Sequence, residues 1–181
     1  MKTLLWRGLI NKSWEHCKVD TVENGFKITS EVVGNHANST YIINYLISTD
    51  NHWNVQEFEV SCEMEGKRKQ MDGKKTGSDW LINGQIVPAF EGFKYIDIAV
   101  TPLTNTLPIK GLELHVDQTQ LIEVIYLDVL NDEIKPAKQK YTKLSKECYH
   151  YQNMETGFTS SILIDRNGMV KTYPGRFELV A

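Results

Sequence analysis

The sequence has 181 residues, 41% hydrophobic and 24% charged, which is the composition of an ordinary folded domain. A formal net charge of -3 gives no basic surplus of the kind that nucleic-acid-binding proteins carry. Arg7 interrupts the first apolar run, and no stretch reaches the roughly 20 apolar residues that span a bilayer. We therefore expect neither a signal peptide nor a transmembrane segment.

Apolar and polar side chains alternate in several runs, among them residues 26–32, 41–47 and 112–116. Successive side chains of an extended backbone point to opposite faces, so this alternation predicts half-buried strands. The inward-facing set predicts a core that includes Trp6, Ile28, Ile43, Val60, Leu114, Ile125, Leu127 and Ile162.

Four dipeptides that favour tight turns separate these runs. They are Asn24-Gly25, Asp72-Gly73, Asn83-Gly84 and Asn167-Gly168. Strands joined by hairpins form an antiparallel sheet, so we predict a single mainly β domain over residues 1–181. The basic residues at 67–69 and 74–75 would then lie around a charged hairpin tip.

Three segments depart from simple alternation. The apolar parity changes between Val55 and Phe58, which predicts a β-bulge. Residues 121–130 are apolar on nearly both parities, which is typical of a strand covered on both faces. Ala137 and Tyr141 keep helical spacing, so we predict a short helix within residues 135–148.

The chemistry-bearing residues are sparse. Cys17, Cys62 and Cys148 lie far apart, which argues against a disulfide framework or a zinc site and favours free thiols in a reducing cytoplasm. The five histidines are scattered, and no nucleophile elbow, phosphate loop or zinc-protease motif is present. We expect no metal and no cofactor.

One segment concentrates polar side chains between two prolines: VTPLTNTLPIKGLEL, residues 100–114. Prolines fix φ and pre-order the chain, so Thr101, Thr104 and Asn105 would be presented to a ligand with little remaining freedom. The alternative is that these side chains cap their own backbone. Asp97, in the preceding strand, either faces solvent or forms the polar wall of a cavity.

The sequence resembles, nearly end to end, a bacterial family named putative glycolipid-binding proteins. The segments that carry the resemblance are LLWRGLINKSWEHCKV, TYIINYLISTDNHW, GSDWLINGQIVPAFEGFKYIDIAVTPLTNTLPIKGLEL, QKYTKL and ILIDRNGMVKTYPGRFELV. Lys110-Gly111 departs from the arginine-rich pair expected there, and lysine lacks the planar fork of arginine.

The resemblance implies a fold like that of the periplasmic lipoprotein carriers. In that fold one large antiparallel sheet curves into an unclosed barrel, with few short helical segments and an apolar concave face. Such a face could shelter acyl chains from water. On this hypothesis Asp97 would anchor the polar loop or bind ligand, Trp80 would stack on a sugar, and Lys110 would meet an anionic headgroup.

Two functions remain open from the sequence. The first is non-enzymatic binding of an amphipathic small molecule, such as a glycolipid, by a cytoplasmic monomer or homodimer. The second is a small cytoplasmic enzyme that uses Asp97 as a general base or orienting carboxylate, because burial shifts the pKa of a carboxyl group. No nucleic-acid partner is expected in either case.

Overall fold

The computed structural model describes residues 1–10 and 12–181. Its regular structure is almost entirely β, with one short helix, α1 (Thr106–Gly111), and 3₁₀ turns at Pro88–Phe90 and Leu103–Asn105. The strands are β1 Lys2–Gly8, β2 Ser13–Val22, β3 Gly25–His36, β4 Ser39–Thr49, β5 Val55–Met64, β6 Lys67–Thr76, β7 Asp79–Ile82, β8 Gln85–Ile86, β9 Tyr95–Ile98, β10 Thr119–Asp128, β11 Glu133–Ser145, β12 Cys148–Asn153, β13 Thr159–Ile164, β14 Val170–Tyr173 and β15 Phe177–Leu179.

All fifteen strands belong to one sheet, ordered β8-β7-β6-β5-β4-β3-β2-β1-β15-β14-β13-β12-β11-β10-β9. Neighbouring strands pair antiparallel, except that β9 runs parallel to β10. The N-terminal strand β1 lies between β2 and β15, so both ends of the chain are held at the middle of the sheet. The two edge strands, β8 and β9, do not pair, which makes the sheet an unclosed barrel, as predicted.

A buried helical segment fills the inside of the sheet. Residues 100–111, which we call the plug, contain the second 3₁₀ turn and α1, and Leu103 and Leu107 in it are fully buried. Large side chains from the strands pack around them, Trp6, Phe58 and Trp80 among them. All eight residues of the predicted core are buried. The concave face is therefore mostly packed protein.

The plug corrects the expectation of an open loop. Pro102 precedes the 3₁₀ turn, and Pro108 is the third residue of α1. The first N–H groups of a helix have no intrahelical acceptor, so a proline at this position breaks no hydrogen bond. Leu112 follows α1 directly, and residues 112–116 are not a strand, although Leu114 is buried.

The predicted helix within residues 135–148 is also wrong, because most of this segment is strand β11 between β10 and β12. Ala137 and Tyr141 are both buried on its inward face. A spacing of four residues satisfies the period of a strand as well as that of a helix, which explains the misassignment.

Three of the four predicted turns lie between consecutive strands, but Asp72-Gly73 lies within β6. A Cβ atom on Gly73 would come within 2.2 Å of the Phe58 ring, so the glycine serves close packing and not a turn. The hairpin turns instead at Glu65 and Gly66, and the basic residues lie along β6. The predicted bulge is present where β4 pairs with β5, beside Thr49 and Val55.

The inward and outward faces of β4 offer a direct test of this packing. Ile43 is fully buried and Ile42, its neighbour, is 39% exposed. We expect Ile43→Ala to reduce the free energy of unfolding by about 2–5 kcal/mol, because it leaves a cavity in the core. The matched Ile42→Ala change should cost less than about 1 kcal/mol. Urea unfolding of both variants measures the difference, and equal costs would contradict the assigned faces.

Candidate functional site

A cleft of about 360 Å³ opens at one end of the barrel. Its walls come from the β1–β2, β10–β11, β12–β13 and β14–β15 connections, and its floor comes from the end of β9 and the start of the plug. Asp97, Thr101 and Asn105 line it. Three of the six site residues predicted from the sequence therefore meet in one cavity.

Asp97 is held by hydrogen bonds to both of its carboxylate oxygens. Thr104 Oγ1 donates to Oδ1 over 3.1 Å, and Gln139 Nε2 donates to Oδ2 over 2.7 Å. Removal from water raises the pKa of Asp97, while these two hydrogen bonds and the charge of Arg176 act to lower it. Thr104 itself is buried and does not line the cleft, so its role in the structure is to position Asp97.

Asn105 belongs to a buried polar chain that leads back to Asp97. The Tyr141 hydroxyl lies 2.9 Å from Asn105 Oδ1 and 3.2 Å from Gln139 Oε1. Asn105 Nδ2 also donates to the Pro102 carbonyl over 3.4 Å. These hydrogen bonds fix the positions of the side chains that form this part of the cleft floor.

Beneath Thr101 lies a buried glutamate that the sequence analysis did not identify. Oε1 of Glu15 accepts hydrogen bonds from Thr101 Oγ1 at 2.8 Å, Ser30 Oγ at 2.9 Å and the Tyr45 hydroxyl. Its second oxygen, Oε2, has no hydrogen-bond partner among the described residues. Burial raises the pKa of Glu15 to about 7, although the three hydrogen bonds act to lower it.

Aromatic side chains form much of the cleft wall. They are Tyr126, Tyr151, Phe158, Tyr173 and Phe177. Tyr151 and Tyr173 meet edge to face with ring centroids 5.9 Å apart, and Phe158 packs against both. The guanidinium of Arg176 lies 4.3 Å from the Phe158 ring centroid. The cleft thus combines flat apolar surfaces with hydroxyl, amide and carboxylate groups.

Trp80 and Lys110 lie outside this cleft. Trp80 is fully buried, and its indole N–H donates to the Phe93 carbonyl over 3.0 Å. Lys110 is at the opposite end of the plug, where it lines a second cavity of about 700 Å³. Its ammonium donates to the Asn167 carbonyl over 2.9 Å and lies 5.0 Å from the Trp53 ring centroid.

The sequence did carry a signal for Glu15. It occupies the same parity of β2 as Ser13, Cys17 and Val19, all of which are buried, so a charged residue falls on an inward face. Arg176 lies in a turn, where the alternation of apolar and polar residues does not predict which way a side chain points. Its place in the cleft follows from the pairing of β14 with β15.

Among residues 1–10 and 12–181, no group of three or more histidine, cysteine, aspartate or glutamate side chains could hold a metal ion. No helix in that part of the chain is long and apolar enough to cross a membrane.

Fold and cleft together define an open-barrel protein with a polar, aromatic-walled cleft at one end. The chain belongs to the family described as "putative glycolipid-binding", whose model matches residues 3–178. No curated protein matches the sequence.

Two solved structures share the fold. One is a DUF1089 family protein from Pseudomonas aeruginosa, 29% identical over 92% of this chain and 91% of that chain, with a TM-score of 0.82. The other is a β-barrel-like protein of the DUF1849 domain of unknown function from Brucella abortus. It is 8% identical over 98% of this chain and 94% of that chain, with a TM-score of 0.54, and shows likeness of fold alone.

Glu15 predicts an unusual dependence of stability on pH. Between about pH 4.5 and 7 the folded protein keeps a proton on Glu15 that the unfolded chain has released. Glu15 therefore makes its full contribution to the free energy of unfolding below pH 4.5. About 3 kcal/mol of that contribution is lost as the pH rises to 7.

The variant Glu15→Gln resembles the protonated acid and does not titrate, so it should become more stable than the wild type as the pH rises. Urea unfolding from pH 4.5 to 8 measures the gap, and Glu31→Gln, an exposed change on the adjacent strand, is the control. Parallel curves for wild type and Glu15→Gln would show that folding does not raise the pKa of Glu15.

Proposed function

We propose that the protein is a non-enzymatic binding protein for an amphipathic small molecule, whose sugar-type headgroup enters the cleft. The observation that carries this proposal is the convergence of an aromatic wall with Asp97, Thr101 and Asn105 in one cavity. Membership of the putative glycolipid-binding family supports it independently.

The mixed lining suits a sugar better than a purely apolar ligand. Aromatic rings cover the C–H faces of a pyranose, while hydroxyl and amide groups exchange hydrogen bonds with its hydroxyls. A volume of about 360 Å³ is at the lower end of the range for small-molecule sites. The cleft therefore has room for a headgroup, and the rest of an amphiphile must lie outside it.

The acyl portion of the ligand is assigned to the rim and not to the concave face. Trp6, Phe58 and Leu103 are fully buried and occupy the interior that an acyl chain would otherwise need. Ile10 is 62% exposed and lines the cleft, and Leu9 beside it is 41% exposed. These two side chains offer an apolar surface at the mouth, where a chain attached to a bound headgroup would lie.

The enzymatic alternative has one observation in its favour: Asp97 lines the cleft, and burial raises its pKa. Against it, the hydrogen bonds from Thr104 and Gln139 stabilise the ionised carboxylate and act to lower its pKa, which makes Asp97 a weaker base. Binding without turnover is therefore the function that we propose, and a cytoplasmic location is part of the proposal, supported by three free cysteines.

A cavity-filling substitution tests the site. Ala99 lines the cleft, so the ring introduced by Ala99→Phe should occupy the space of the headgroup and reduce affinity for octyl β-D-glucopyranoside at least tenfold. Calorimetric titration below the micelle concentration of the glucoside measures affinity, and the melting temperature reports folding.

Ala89→Phe is the matched control, because Ala89 is exposed in the first 3₁₀ turn, away from the cleft. Equal affinity of wild type and Ala99→Phe for the glucoside, with both proteins folded, would place the ligand elsewhere.

A further inference from the structure

Arg176 is a cation in the cleft without a hydrogen-bonding partner. It is half-buried in the turn between β14 and β15 and lines the cavity. Among the described residues, its guanidinium makes no hydrogen bond and no ion pair, although the group carries five N–H donors. Exposed arginines satisfy these donors with water, but a half-buried one has less access to solvent.

Two carboxylates line the cleft, and among the described residues neither forms a hydrogen bond or an ion pair with Arg176. Asp97 accepts hydrogen bonds from Thr104 and Gln139, and it acts on Arg176 only through the attraction of opposite charges. Asp128 accepts hydrogen bonds from the backbone and the side chain of Asn131. The N–H donors of Arg176 are therefore left without an acceptor among the described residues.

Packing keeps the guanidinium in place. It lies over the Phe158 ring, 4.3 Å from the ring centroid, and this cation–π contact supports it on one side. An arginine held in this way loses little further freedom when an oxyanion binds to its N–H groups.

Two lysines of the second cavity have acceptors in the protein. Lys110 donates to the Asn167 carbonyl, and Lys143 donates to the Leu114 carbonyl over 2.8 Å while lying 5.5 Å from the Tyr149 ring centroid. Lys146 and Arg166 also line this cavity, but both are exposed, so water satisfies their N–H donors. Arg176 differs from all four, because it is half-buried and has no hydrogen-bond acceptor among the described residues.

We propose that the headgroup bound in the cleft is acidic: a pyranose that carries a carboxylate or phosphate group, with that oxyanion bound by Arg176. This inference rests on the proposed function and specifies its ligand. The ring would pack against the aromatic wall, its hydroxyls would meet Thr101 and Asn105, and its oxyanion would accept from the arginine fork.

A matched pair of amphiphiles tests the charge preference. Octyl β-D-glucuronide and octyl β-D-glucopyranoside differ only in the group at C6, which is a carboxylate in the first and a hydroxymethyl group in the second. We expect the wild-type protein to bind the glucuronide roughly 10- to 100-fold more tightly, the range for hydrogen bonds to a charged partner. Competition with glucuronate and with glucose 6-phosphate then distinguishes a carboxylate from a phosphate as the preferred oxyanion.

Substitution of the arginine tests its role. Arg176→Gln should abolish the preference for the glucuronide over the glucoside, whereas Arg176→Lys should retain part of the preference, because it keeps the charge without the fork. Arg166→Gln, the same change at an exposed residue of the second cavity, should alter neither affinity.

The outcomes separate this inference from the function on which it rests. Equal binding of the two amphiphiles by the wild-type protein, or a preference that survives Arg176→Gln with the variant folded, would overturn the acidic-headgroup inference while leaving amphiphile binding intact. Binding of neither amphiphile would overturn the proposed function as well.

Discussion

Four hydroxyl and amide side chains of the plug are buried inside the barrel, and each has to find a hydrogen-bond partner there. Their partners lie on four different strands. Thr101 bonds to Glu15 of β2, Thr104 to Asp97 of β9, Asn105 to Tyr141 of β11, and Thr106 to the backbone of β14. These bonds tie the plug to both halves of an unclosed sheet. An apolar plug would fill the same volume without fixing how the strands surround it.

The cleft is a consequence of this arrangement. The plug starts at one end of the barrel, where Thr101 and Asn105 form the floor, and ends at the other, where Lys110 reaches the second cavity. Polar groups that hold the fold together thus also form the surface a headgroup would meet. Because these hydrogen bonds are made within the protein itself, a ligand bears little of the ordering cost. Among the described residues, Arg176 is a charged cleft residue with no hydrogen bond and no ion pair, which is why it informs the choice of ligand.

Alternation predicted the sheet, the inward faces and the core, because a strand with one buried face imposes period two on its sequence. The sequence predictions failed where a residue type that favours turns or loops serves another purpose in the structure. Gly73 leaves room for the Phe58 ring and does not mark a turn, and Pro108 lies in the first turn of α1 and does not mark an open loop. The polar composition of the segment predicted Asp97, Thr101 and Asn105 as candidate site residues. It did not predict Arg176, which reaches the cleft only because β14 pairs with β15, and no local sequence pattern encodes that pairing.

Native mass spectrometry of the purified protein shows whether the cleft holds the headgroup of an amphiphile. We expect one bound molecule per chain, whose fragmentation yields an acidic sugar and an acyl chain. The complex should be retained by Ala89→Phe and lost by Ala99→Phe. A wild-type protein that carries no such molecule, and acquires none when incubated with octyl β-D-glucuronide, would contradict it.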